Sequence, residues 1–170
     1  MPGSVIGITM DYGFPGQASR HGDEVSRTRP VSQGPIPFGA PVMQKKDGSV
    51  TAWTAKGTAD DFAGIAMRKV KTATVWTTQD GWDYQTGQPC DILQRGGICV
   101  KCAWGEPKVG GKVYIRTKVD TSASPAGSAI GDLGASDEAG NCIVLDGVKW
   151  SSEKDARGVA ELTMLTRKGL

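Results

Sequence analysis

Glycine and proline interrupt this chain so often that few long elements fit between them. From Gly81 to Val119, short apolar runs alternate with these residues roughly every eight to twelve positions, the rhythm of a β-sandwich or barrel. The whole chain holds 24 Gly and 9 Pro, residues that suit turns and weaken helix interiors. The sequence therefore predicts an all-β fold, a jelly-roll or barrel-like β-sandwich with at most one short helical turn. At 170 residues it is most simply one domain with a working core.

Residues 1–33 are polar and mixed in charge, with Arg20, Arg27 and Arg29 spread along them. They predict an extended N-terminal arm ahead of a single β-rich domain over 34–170. Such an arm is either a solvated terminus or a segment that orders on a neighbouring subunit. The compact part opens at Gly34 with Pro35, Pro37 and Pro41, which forbid a helix and fit an edge strand. Val42 and Met43 start a strand, Asp47-Gly48 signals a hairpin, and Ser49 to Ala55 is the return strand. Thr58 with Asp61 three residues on resembles a helix N-cap box and predicts one helical turn. Arg68, Lys69 and Lys71 read as a solvated basic face.

Turns are expected at Gln79 to Trp82 and at Tyr84 to Pro89, and Gly96-Gly97 is expected to break the run that follows Cys90. Beyond it, Ile98, Val100, Cys102 and Trp104 fall on one face of a strand. After a turn at Gly105 to Gly111, Val113, Ile115, Thr117 and Val119 form a buried face, with Tyr114, Arg116 and Lys118 on a wet one. Thr121 to Gly140 reads as a long surface loop. Asn141 to Gly147 is a strand running into an Asp-Gly turn, and Asp155 to Gly158 is another turn. Val159 to Thr166 is a strand, because Gly158 suits a helix poorly and Ala160, Leu162 and Met164 alternate with polar residues.

Several function classes fall away. The net charge of +2, from 20 basic and 18 acidic residues, is too balanced for a dedicated nucleic-acid binder. No apolar run approaches bilayer-spanning length. Met1 to Met10 lacks the layout of a signal peptide, so a reducing cytoplasm is the expected place of synthesis. Cys90, Cys99, Cys102 and Cys142 are then expected as free thiols. Cys99 and Cys102 have a chelating spacing, but on a strand residues three apart point to opposite faces. The other thiols are distant and His21 is the only histidine, so no metal or cofactor site is expected.

No Gly-x-Ser-x-Gly elbow or phosphate loop appears, and Gly105 to Lys112 lacks the order of the latter. Asp60-Asp61 and Asp80/Asp83 sit at turns, and Asp132 to Glu138 lacks calcium-loop spacing. The chain is not expected to be an enzyme. Trp53, Trp76, Trp82, Trp104 and Trp150 leave an alternative function: a carbohydrate-binding β-sandwich that stacks sugars on Trp82 and its neighbours. Trp104, on the face of Ile98 and Val100, is expected in the core.

An ordered set of segments resembles the structural cement proteins that decorate the heads of tailed phages. It begins with Gly16-Gln17, Pro35 to Val42 and Asp47-Gly48, then Phe62 to Arg68 and Tyr84 to Gly96. It continues with Ile98 to Val100, Pro107 to Tyr114 and Asp155 to Leu162. Thr121 to Gly140 matches least. The resemblance implies an all-β body on the outside of the capsid, without catalytic residues. It would bind the major capsid protein and associate with itself as a homodimer or homotrimer, bridging capsid subunits and stiffening the shell against DNA pressure. The expected partner contacts are the arm (Arg20, Arg27, Arg29), the proline-rich opening (Ile36, Phe38) and two turns (Tyr84, Gln88; Pro107, Lys108). No nucleic acid or membrane partner is expected.

Overall fold

The computed structural model describes residues 11–68, 83–119 and 128–165. The strands are β1 (Ala18–Gln33), β2 (Ile36–Pro37), β3 (Pro41–Gln44), β4 (Val50–Ala52), β5 (Phe62–Ala66) and β6 (Asp83–Tyr84). They continue as β7 (Pro89–Trp104), β8 (Lys112–Arg116), β9 (Leu133–Gly134), β10 (Cys142–Trp150) and β11 (Val159–Met164). Among the described residues the helical structure is one 3-10 turn, Ala59–Asp61. The Asp61 carboxylate accepts hydrogen bonds from the Thr58 N–H (3.0 Å) and hydroxyl (2.7 Å), tying the turn back on its own start. The fold is all-β, as the punctuation implies.

The main sheet closes on itself twice. β1, β4, β3, β5 and β7 form one ring, completed by antiparallel pairing of β1 with β7. β7, β11, β10, β8 and β9 form a second, completed by a short parallel contact of β9 with β7. Closure removes most free edges, which is the barrel solution to edge pairing. Each ring surrounds its own core. Val31, Ile36, Phe38, Val42, Val50, Tyr84 and Ile92 belong to the first. Ile98, Val100, Val113, Ile115, Leu145, Trp150 and Leu162 belong to the second, which extends under Trp53, Phe62, Ile65 and Leu93. Full burial of one such side chain is worth about 1.5–3 kcal/mol.

β7 is common to both rings. Gly96-Gly97 does not break it, contrary to the sequence reading. β7 pairs with β5 before Gly96 and with β11 from Gly96 on, while β1 runs beside it from Pro89 as far as Ile98. Gly96 has φ +115, and a Cβ there would lie 3.1 Å from the Asp23 carbonyl oxygen. The ladder with β1 shifts register between Val25 and Ser26, opposite Arg95 and Leu93. Such an extra residue exchanges the two faces of a strand. Accordingly Leu93 and Ile98, of opposite parity, both face the second core.

Asp146-Gly147 repeats the lesson. The expected turn is instead an irregularity inside β10: Gly147 has φ +74, and the register with β8 shifts between Leu145 and Lys149. The 121–140 stretch is also more than a loop, since its Leu133–Gly134 forms β9 and Leu133 is buried. The third difference concerns the arm. Residues 18–33, read as part of an extended arm, are strand β1 and close the first ring. The less exposed positions from 26 to 31 are Arg27, Arg29 and Val31, alternating with exposed Ser26, Thr28 and Pro30. Arginine stems carry the inner side of this strand, so its period of two is invisible to a hydrophobicity count.

Other expectations hold. β3 and β4 are a hairpin about Asp47-Gly48, β11 is a strand, and Asp155 to Gly158 is a turn closed by a Gly158 N–H to Asp155 carbonyl bond of 2.9 Å. The turn expected at Gln79 to Trp82, and Lys69 and Lys71, lie outside the described residues.

Candidate partner-binding surface

The residues expected to contact a partner do not form one patch. Ile36, Phe38 and Tyr84 are interior: 0%, 8% and 1% exposed. Phe38 and Tyr84 meet edge to face, with ring centroids 5.2 Å apart, and the Tyr84 hydroxyl donates to the Met67 carbonyl at 2.6 Å. These three close the first core; Ile36 and Tyr84 are sealed inside it, and Phe38 keeps only one edge on the groove described below. The proline-rich sequence hid this, because β2 pairs with β6 and is folded over the ring's end.

Arg27 and Arg29 are half-buried on β1, opposite Ile92 and Cys90. Arg20 lies on the same strand opposite Gly97, and its side chain is outside the described part. Gln88 is half-buried and braces its own turn: its side-chain oxygen accepts from the Gln85 N–H at 2.9 Å, and its carbonyl accepts from the Val31 N–H at 3.0 Å. Pro107 is buried and Lys108 exposed. Their turn hangs on the second ring, where the Gly110 N–H donates to the Trp150 carbonyl at 2.8 Å. Val109, at 76%, is the most exposed large apolar residue described.

A groove of about 290 Å³ lies where the two rings adjoin. Pro15, Phe38, Pro41 and Trp53 line one part, Ile130 and Leu133 another, with Lys101 at the edge. Its walls are mostly apolar, and its three prolines, Pro15, Pro37 and Pro41, are conformationally fixed. Sequence reading missed it, because its parts come together only through ring closure.

Beside the groove, Arg116 breaks the expected alternation. It belongs to the supposedly wet face of β8 yet is fully buried. Its guanidinium pairs with Glu138 at 2.8 Å and Asp132 at 3.3 Å, and stacks 4.1 Å from the Trp104 ring centroid. Asp132 also accepts from the Ala129 N–H at 2.7 Å. The carboxylates that resembled a failed calcium loop thus hold the 128–138 segment down on β8. Val119, expected inside, lies beyond the end of β8 and is exposed.

The thiols are poor chemical tools. Cys102 faces the second core, whereas the Cys99 thiol donates to the Tyr12 carbonyl at 3.0 Å on the other side of the strand. Burial pushes Cys99 and Cys102 each up to about 11 and, aided by Asp91, Cys90 up to about 12. All four cysteines are free. Of the tryptophans, Trp53, Trp104 and Trp150 are buried, so none of these is a sugar platform. Trp76 and Trp82 lie outside the described residues.

A family model described as structural cement protein (E217 gp24/Pam3 gp6) matches residues 1–165. The chain belongs to this family of phage structural cement proteins. No curated protein sequence matches it. Among solved structures, the cement protein resembles a chain in the capsid of Myoviridae phage XM1, with a TM-score of 0.74 over 98% of each chain. At 17% identity that likeness is one of fold. The family assigns the cement protein a structural role in the phage capsid.

Proposed function

We propose that this protein binds the outer surface of the phage head, bridges major capsid protein subunits and stabilises the shell against the pressure of packaged DNA. The observation that carries this reading is the family match over residues 1–165. The buried tryptophans and high-pKa thiols are in keeping with a structural role and no catalysis. In this reading the protein acts as a homodimer or homotrimer. It selects the mature lattice over the immature one by mass action, and several modest contacts per oligomer add by multivalency. Among the described residues, the surface elements that offer contacts include Lys108 with Val109, the half-buried Arg27, Arg29 and Gln88, and the groove between the rings.

The experiment is uptake by expanded, undecorated heads. Purified protein should co-sediment with them and raise the temperature at which they release DNA. Heads that neither take it up nor gain heat resistance would sink the reading.

A further inference from the structure

We propose that the groove between the two rings receives an extended segment of the major capsid protein, one that carries an apolar anchor beside an acidic residue. This inference rests on the capsid-binding reading above and names the site and the chemistry of the partner. The groove is near the low end of pockets that enclose a ligand, about 300 Å³. That suits one or two side chains of a chain lying across it. Phe38, Trp53 and Leu133 form an apolar floor, and Ile130 at the lip is 42% exposed. Pro15, Pro37 and Pro41 fix the backbone of the walls, so little ordering entropy is lost on binding.

Charge selects the occupant. Lys101 is exposed at the edge, and no described carboxylate pairs with it. Asp132, the acid that also lines the groove, is already held by Arg116 and by the Ala129 N–H. Among the described residues, the rim therefore presents an ammonium with no carboxylate partner next to an apolar slot. A carboxylate flanking the apolar anchor completes it, and a basic segment is repelled. The groove takes walls from both rings: Phe38 and Ala52 from the first core, Leu133 from the second. An occupant therefore fastens the rings to each other as well as the protein to the shell.

The test uses the full chain and undecorated expanded heads. Ile130→Asp and Lys101→Glu should each weaken co-sedimentation by about tenfold or more, with Lys101→Arg binding better than Lys101→Glu, while Val144→Asp, on the outer face of β10, should bind as the native protein does. Circular dichroism melts within roughly 3 °C of native establish that the variants fold. A photo-crosslinking residue at position 130 should capture a capsid-protein peptide with an apolar and an acidic residue. If native protein binds heads but the groove variants bind equally well, the groove assignment fails and the cement reading stands. Crosslinks to a second copy of this chain, or to a basic peptide, also overturn it. Native protein that does not bind heads removes the cement reading and this inference with it.

Discussion

Removing the Arg116 guanidinium would leave the Asp132 and Glu138 carboxylates near each other with no cation and an emptied space against Trp104. Breaking a buried pair from one side costs about 3–5 kcal/mol, and both acids keep some exposure, so Arg116→Ala should cost about 2–3 kcal/mol in urea unfolding. Arg95→Ala provides the contrast. Its 2.8 Å bridge to Asp23 is exposed on both sides, and its loss should cost less than about 0.5 kcal/mol. Equal losses would mean that burial is not what gives the Arg116 cluster its strength.

The thiols give a pH prediction. Unfolded, they ionise near the ordinary 9.0; folded, Cys99 and Cys102 keep their protons to about 11 and Cys90 to about 12. The folded state therefore binds more protons above 9. Their contribution is complete below pH 9 and is lost as pH rises from there, towards about 11 for Cys99 and Cys102 and about 12 for Cys90. Replacing all three by Ala should flatten the fall of melting temperature over that window, after allowance for the stability the substitutions themselves remove. A thiol reagent at pH 8 should leave these three unmodified in the folded protein.

At the scale of elements, glycine does two jobs that look alike in a sequence. Gly48 and Gly158 have positive φ in turns, and Gly96 and Gly147 have it inside strands. An Asp-Gly or Gly-Gly pair marks a place where the backbone departs from regular β, and only the partner strands decide whether it is a turn or a bulge. For that reason the β3–β4 hairpin, β8 and β11 were legible locally. The continuity of β7 and β10 was not, because it depends on pairing across the molecule. β9 was hidden by its length and β1 by its arginines. Among partner contacts, Lys108 was legible as a surface charge, whereas Ile36, Phe38 and Tyr84 look like an exposed opening until β2 folds over the first core. Gly96→Ala should lower stability by about 1–3 kcal/mol, since φ +115 is strained for any Cβ and the Asp23 carbonyl is close. Gly134→Ala should cost as much or more, because its Cβ would overlap the Trp104 ring. Both are read from denaturant midpoints; an unchanged midpoint for Gly96→Ala would argue against the bulge as the device that turns β7.

For the whole molecule, the shared strand predicts that the rings unfold together. Tryptophan fluorescence, weighted to the second core through Trp150, and far-ultraviolet circular dichroism should give coincident transitions. Amide exchange should be slowest along Pro89–Trp104. Two separated transitions would show that the rings are independent. Deleting residues 1–33 should abolish folding, because it removes β1 and opens the first ring.

A strand that two interiors share also limits how such a protein can be inherited in pieces. A domain with a core of its own can be exchanged between related genes at a linker, and each side keeps its packing. Here no linker separates the halves, because residues 89–104 face one core at one end and the other core at the other. A crossover on either side of β7 would join half of an interior to a stranger's half. The pair of rings with β7 between them is the smallest unit that recombination can pass on intact.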